Sequence, residues 1–258
     1  MTVIGMPAFH HQGLREISLS HPVALSIQAL SFAYDDQPSV LENLSLTVQA
    51  GEKVGLIGHN GCGKTTLFML LCGVLKPKGG VIELWGNPVR PGTFLPGIAL
   101  LFQDPNDQLF SVSVWEDIAF GPQNMGLSPA EVAERVEQAA AITGVTSLLD
   151  RLPQHLSGGE KQMVAIAGLL AMAPKILLCD EPTASLDIRG RRRLINFLQS
   201  FQQTVLIASH DLEFILEVCD RVILVNHGQL VADGIPAQIM GDRSLMESQG
   251  LEKPYSLR

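Results

Sequence analysis

Residues 58 to 66 read Gly58-His59-Asn60-Gly61-Cys62-Gly63-Lys64-Thr65-Thr66, and Gly58, Gly63, Lys64 and Thr65 fit the spacing G-x-x-x-x-G-K-[ST]. Ahead of them, Lys53-Val54-Gly55-Leu56-Ile57 is a short apolar run that reads as a buried strand. Behind them, Leu67 to Leu75 is apolar and rich in strong helix formers. Strand, loop and helix are the context this spacing needs. Glycines let the backbone curl until successive N–H groups point inward at an anion. The helix opening near Lys64 adds its positive dipole end and unpaired N–H groups. Lys64 then reaches the β- and γ-phosphates, and the Thr65 hydroxyl ligates Mg²⁺. The stretch predicts a nucleoside-triphosphate site running from Gly58 to Thr66. A plain glycine-rich turn before a helix is the alternative, and the flanking context argues against it.

Working outward, the 258 residues make one large domain or one domain with an inserted subdomain. Hydrophobic residues make up 46% and the mean hydropathy is +0.22, so extensive burial is expected, with membrane subunits as one candidate surface. The apolar stretch Val164 to Ala173 has ten residues, which suits a buried helix and is too short to span a bilayer. The net charge is −8, and the one basic cluster, Arg189-Gly190-Arg191-Arg192-Arg193, reads as a solvated helix face. A nucleic-acid partner calls for a basic face, so none is expected. Cys62, Cys72, Cys179 and Cys219 are scattered without C-x-x-C spacing, which fits a reducing cytoplasm rather than a disulfide framework or zinc site. No basic segment followed by an apolar core marks a signal peptide.

Taken in order, residues 1–22 carry His10, His11 and His21 without periodicity and read as a flexible extension, with a metal-holding arm as the alternative. Structure is expected from Ala24, and Leu44-Ser45-Leu46-Thr47-Val48 alternates as a half-buried strand does. Lys76 to Gly80 reads as a loop and Val81 to Trp85 as a strand. Ile98-Ala99-Leu100-Leu101-Phe102 has the continuous apolar character of a central parallel strand and delivers Gln103 at its end. From Asp104 to about Leu156 the chain looks like an inserted helical subdomain. Ser128-Pro129-Ala130-Glu131 opens one of its helices with a cap, a first-turn proline and a capping-box glutamate, and Gly144 follows its end.

Leu156-Ser157-Gly158-Gly159-Glu160-Lys161-Gln162 opens another capped helix whose glycines leave the first N–H groups bare, a good anion site. Ile176-Leu177-Leu178-Cys179 is a buried strand that ends on Asp180-Glu181. Two acids there are costly to bury unless something cationic is near. Asp180 is expected to hold Mg²⁺ through its water shell and Glu181 to orient or deprotonate an attacking water. A further strand, Thr204 to Ala208, ends in Ser209-His210-Asp211, where open α/β sheets place ligand groups. Within the phosphate loop, Lys64, inward N–H groups and a helix start predict a Cys62 thiol that titrates below a free one, against the plainer reading of a small loop filler.

With these motifs in hand, residues 24 to 240 resemble an ABC-transporter ATPase subunit. Tyr34, the phosphate loop, Gln103, the signature LSGGEKQ, Asp180-Glu181, Ser185-Leu186-Asp187 and His210 stand in that family's order. The resemblance implies an α/β P-loop NTPase core with a mixed sheet, an N-terminal antiparallel β subdomain and an inserted helical subdomain. It implies ATP and Mg²⁺ as cofactors, with Thr65, Gln103 and Asp180 at the metal and Lys64, Gln103, Glu181 and His210 in catalysis. Tyr34 would stack on adenine, and Asp187 is carried over with the nucleotide-binding set. Ser157, Gly158 and Gly159 would bind the nucleotide held by a second subunit, in a head-to-tail dimer that sandwiches two ATP molecules. A complete motif set on one chain points to two copies of it, with a related ATPase as the other possibility. Met163 departs from the pattern, since the family very often has Arg after the signature Gln.

A narrower resemblance lies in Phe102 to Phe110 and Glu116 to Pro122, which are similar to energy-coupling-factor ATPases, especially the cobalt/nickel branch. It implies a separate membrane coupling subunit, a substrate-binding membrane protein, and a peripheral place on the cytoplasmic face of the cell membrane. Vitamin uptake through such a module is the alternative, and a soluble non-transport ATPase is a weaker one. The coiled-coil insertion, tandem domain or basic face common in soluble relatives is missing.

Overall fold

The computed structural model describes residues 22–258. The expected N-terminal extension with its three histidines lies outside the described residues, apart from Pro22. In chain order the elements are β1 (Val23–Ala33), β2 (Ser39–Gln49), β3 (Lys53–Ile57), α1 (Lys64–Leu71), β4 (Gly79–Leu84), β5 (Asn87–Pro88) and β6 (Ile98–Leu101). Then follow α2 (Val114–Asn124), α3 (Pro129–Thr143), α4 (Gly158–Ala171), β7 (Ile176–Asp180), α5 (Ile188–Ser200) and β8 (Thr204–Ala208). The chain closes with α6 (Leu212–Val218), β9 (Arg221–Asn226), β10 (Gln229–Gly234), α7 (Pro236–Ile239) and α8 (Arg243–Ser248).

Two sheets form. Strands β2-β1-β4-β5 make an antiparallel sheet, and β10-β9-β3-β8-β7-β6 make a mixed one that is parallel except for the β9–β10 pair. Apart from the edge strand β10, the strands of the mixed sheet are buried on both faces, and their residues alternate between two cores. Leu178 and Leu206 face the antiparallel sheet, whereas Leu177, Val205 and Ile207 face the helices. Helix α1 lies in the first core and is buried nearly all round, with Leu67, Phe68, Leu70 and Leu71 at 1% exposure or less. Removing a ring such as Phe68 from that position costs about 3–5 kcal/mol.

Helix α1 ends at Leu71, earlier than its apolar run suggests. Gly73 takes φ +70, its N–H bonds to Leu70 O at 3.0 Å, and the Val74 N–H bonds to Met69 O at 2.9 Å. This Schellman stop uses a left-handed residue that Gly adopts without strain. β4 in turn starts two residues before the expected strand start at Val81, pairing Gly79 with Ser31 of β1.

Helices α2, α3 and α4 pack on one another. The capping boxes expected from Ser128 and Ser157 are both formed, to Glu131 and Glu160, and Gly144 ends α3 at φ +73. Met163, the departure from the family pattern, is 2% exposed among these helices, so it makes no surface contact. The basic run after Asp187 is not simply solvated. Arg191 is a quarter exposed and grips Asp211 at 2.8 Å and Glu217 at 3.1 Å, while Arg192 also reaches Glu217. Those acids sit on the neighbouring α6 segment, a pairing that sequence distance conceals. No helix among the described residues is long and apolar enough to cross a membrane.

Candidate active site

Parallel strands in register bring their carboxyl ends to one edge: Leu56 of β3 stands beside Ala208 of β8, and Ala208 beside Asp180 of β7. The segments that follow, Gly58 to Thr66, Gln103, Glu181 and His210, therefore meet above that edge. A cavity of about 450 Å³ lies there, lined by Tyr34, Lys64, Thr65, Gln103, Asp180, Glu181 and His210 with the loop residues Asn60, Gly61 and Gly63.

The loop is closely seated. A Cβ on Gly58 would stand 2.2 Å from Val225 O, and one on Gly63 would stand 2.9 Å from a Leu41 methyl, so both positions require glycine. Lys64 is 7% exposed, and its Nζ donates to Gly58 O at 2.8 Å and His59 O at 3.2 Å. The ammonium is thereby held over the loop, where a triphosphate would meet it. Thr65 Oγ1 donates to Asp180 Oδ2 at 2.6 Å. Burial pushes the Asp180 carboxyl above its ordinary value, the Thr65 hydroxyl draws it back, and the charge of Glu181 adds to the rise. A hydroxyl and a buried carboxylate converging without a strong cation contact are the oxygen donors a hard divalent ion takes, so this site fits Mg²⁺.

Glu181 is 8% exposed and adopts φ +45, a left-handed conformation uncommon for a residue with a side chain. Its N–H bonds to Ala208 O at 2.8 Å, which fixes the turn. The carboxylate accepts from the His210 N–H at 3.1 Å, from Ser209 Oγ at 3.3 Å, and lies 2.7 Å from His210 Nδ1. Tyr34 is 45% exposed, stands edge-on to Phe32 and lies 3.2 Å from Thr66 Oγ1, leaving its ring as a platform at the cavity mouth. Gln103 follows a strand end pinned by Gln108, which accepts from the Phe102 N–H at 2.9 Å and donates to Leu100 O at 3.2 Å.

Residues 41–184 match the family model described as ABC transporter. The chain belongs to this ABC transporter ATP-binding family. It is similar to a Synechocystis sp. protein named as a candidate ABC transporter ATP-binding protein, at 70% identity over 92% of this chain and 84% of that one. The cobalt import ATP-binding protein CbiO of Rhodobacter capsulatus is 40% identical over 89% of this chain and 85% of its own. Among solved structures, cbiO1 of Clostridium perfringens, part of the ABC transporter complex cbiONQ, superposes with a TM-score of 0.79 at 34% identity, covering 88% of this chain and 94% of that one.

In this ABC ATPase the signature residues stand apart from the phosphate loop. Ser157, Gly158 and Gly159 line a second cavity, of about 480 Å³, with Ser185, Asp187 and Arg193, and no residue lines both cavities. Asp187 does not reach the phosphate-loop cavity. It caps α5, accepting from the Gly190 N–H at 2.7 Å. Gly58, His59 and Cys62 lie behind the loop rather than along the cavity, and the His59 ring turns toward Asn226.

The low titration expected of Cys62 is overturned, and the plainer reading of a small loop filler stands. The thiol is 2% exposed, and burial pushes it above the ordinary value, outweighing the Lys64 charge and the hydrogen bonds that pull it down. Sequence showed the cation and the helix start but not that the thiol lies in the core that also holds Leu41 and Val225.

The segment after Gln103 forms an apolar groove of about 450 Å³ lined by Phe94, Phe102, Asp107, Phe110, Asp117 and Phe120, among others. Phe110 and Phe120 stack edge to face at 4.8 Å. Asp117 is a residue the sequence reading missed. Its Oδ1 accepts from the Phe110 and Ser111 N–H groups at 3.1 and 2.9 Å, while Oδ2 is buried with no partner among the described residues. It lies in the Glu116 to Pro122 segment likened to energy-coupling-factor ATPases, but an acid in the first turn of a helix reads as ordinary dipole compensation, so the sequence reading assigns it no role of its own.

Proposed function

We propose that the chain is the ATP-hydrolysing subunit of an energy-coupling-factor importer, working as a dimer on the cytoplasmic face of the membrane and driving uptake of cobalt or nickel ions. The observation that carries the mechanism is the separation of the two cavities. One holds the loop, Lys64, Glu181 and His210; the other holds the signature residues and none of these, so each would complete the site of a second copy set head to tail. ATP would bridge the two, with Tyr34 against adenine and Lys64 on the β- and γ-phosphates. Mg²⁺, held by Thr65 and through water by Asp180, would offset charge on the phosphates. Glu181, held through one oxygen by His210, takes the proton of the attacking water, and Gln103 stands where the nucleotide and the groove meet.

The groove supports docking of a membrane coupling subunit. A buried carboxylate with one unpartnered oxygen, Asp117 Oδ2, in an aromatic-lined trough with Asp107 at its side favours a helix that brings a cation. The cobalt/nickel branch is supported by the segments Phe102 to Phe110 and Glu116 to Pro122 and by likeness to CbiO and cbiO1. The test is co-purification followed by reconstitution in liposomes with the membrane subunits recovered. ATP-dependent accumulation of Co²⁺ or Ni²⁺ is the expected result. Accumulation of a vitamin instead would move the chain to the other branch, and recovery of no membrane protein would reject the transporter reading.

A further inference from the structure

The segment after β10 reaches the phosphate loop through side-chain amides. His59 Nδ1 lies 2.7 Å from Asn60 O, and Nε2 lies 2.7 Å from Asn226 Oδ1. Asn226, the last residue of β9, donates from Nδ2 to Gln249 Oε1 at 2.6 Å. Gln249 closes α8, where its N–H bonds to Leu245 O at 3.2 Å and Met246 O at 3.1 Å. Met246 is fully buried in the helix-side core, so the Gln249 amide is placed by packing rather than left to swing in solvent.

The turn between β9 and β10 that carries this contact is itself wedged. A Cβ on Gly228 would stand 2.3 Å from Val40 O, and the Glu42 N–H bonds to Gly228 O at 3.0 Å. The His59 and His227 rings meet edge-on with centroids 5.5 Å apart. The phosphate loop thus rests on the β9–β10 turn, and the His59 side chain ties it there. On the inner side, His59 O accepts from Lys64 Nζ at 3.2 Å and from the Cys62 N–H at 3.3 Å. Any displacement of residue 59 moves a support of the ammonium that faces the triphosphate.

We propose that Asn226 and Gln249 are positioning residues for the phosphate loop. Acting through His59, they hold its N–H groups and Lys64 in the geometry that takes ATP, so nucleotide affinity depends on the docked C-terminal segment. The proposal rests on ATP occupying this loop.

The test measures the Kd for Mg-ATP by calorimetry, with KM and kcat, on the full chain. Gln249→Ala and Asn226→Ala should each raise Kd about three- to tenfold, the worth of one net hydrogen bond, while kcat stays within about twofold of native. Because the two act in series, the double variant should bind no more weakly than the worse single one. Gln249→Glu keeps an acceptor for Asn226 Nδ2 and should retain native affinity. Glu247→Ala, which removes an exposed partner of Arg243, should change nothing. Native Kd in both single variants, or losses that multiply in the double, would overturn the relay. Should Asn226→Ala fail to fold, Gln249→Ala and Gln249→Glu decide alone: equal affinity in the two overturns it. Wild-type protein that binds no ATP, matching Lys64→Ala, would instead reject the phosphate-site reading.

Discussion

Glu181 and His210 meet through a single oxygen: Glu181 Oε2 lies 2.7 Å from His210 Nδ1 and also accepts from the His210 N–H and Ser209 Oγ. With three contacts gathered on Oε2, Oε1 is the carboxylate oxygen left for a water. The left-handed turn at Glu181 is the backbone feature that makes this aim possible.

If that oxygen takes the proton, Glu181→Gln keeps the shape and loses the base. The variant should bind ATP with native affinity while turnover falls by about 10²–10⁴-fold. It should also accumulate as a stable ATP-bound dimer, seen by size-exclusion chromatography with light scattering. Native turnover in this variant would assign the base elsewhere.

Charge reversal at the groove tests docking. Asp107→Lys should reduce recovery of the membrane subunit at least tenfold without altering ATP affinity. Asp117→Asn should weaken recruitment as well, although its Oδ1 bonds to Phe110 and Ser111 are retained in kind. Recovery equal to wild type for both variants would remove the groove as the docking surface.

Burial pushes the Cys62 thiol up, so the thiolate is scarce at neutral pH. On a chain retaining Cys62 alone, alkylation at pH 7 should be slower than for a free thiol and should rise only on the alkaline side of a free thiol's titration. Cys62→Ser should keep ATPase activity within about twofold. Rapid labelling at neutral pH would restore the reactive-thiol reading that the sequence suggested.

Asp211 is the acid-sensitive tie between α5 and the His210 segment. Burial pushes its carboxyl up, but the Arg191 guanidinium and the Phe214 N–H outweigh this and hold it below the usual range. A folded value below the unfolded one means that its stabilisation is complete above the unfolded value, about 3.9, and is lost as pH falls through the folded value. The pair is a quarter exposed on both sides, so screening limits it to about 1 kcal/mol. Arg191→Ala should lower Tm at pH 7 by about 2–4 °C, with the gap to wild type closing as the pH drops below about 3. A gap independent of pH would show that packing, not the charge pair, is what Arg191 contributes.

The sequence by itself determined the chemistry of the site and the order of its parts. Strand, glycine loop and helix around Lys64, the acids after Cys179 and the capped start at Ser157 are local patterns. Each is dictated by backbone freedom, period or capping within a few residues, and local rules are legible without neighbours. Only the tertiary structure decided which of these groups meet. Parallel register sets Asp180 beside Ala208, and so brings Glu181 to His210, 29 residues away in the chain. The same packing separates Ser157 and Asp187 from the phosphate loop, walls Cys62 away from water, leaves Asp117 without a partner for one oxygen, and joins Gln249 to His59 through Asn226. Burial and long-range pairing depend on what the rest of the chain lays against a residue, and no window of sequence contains that information.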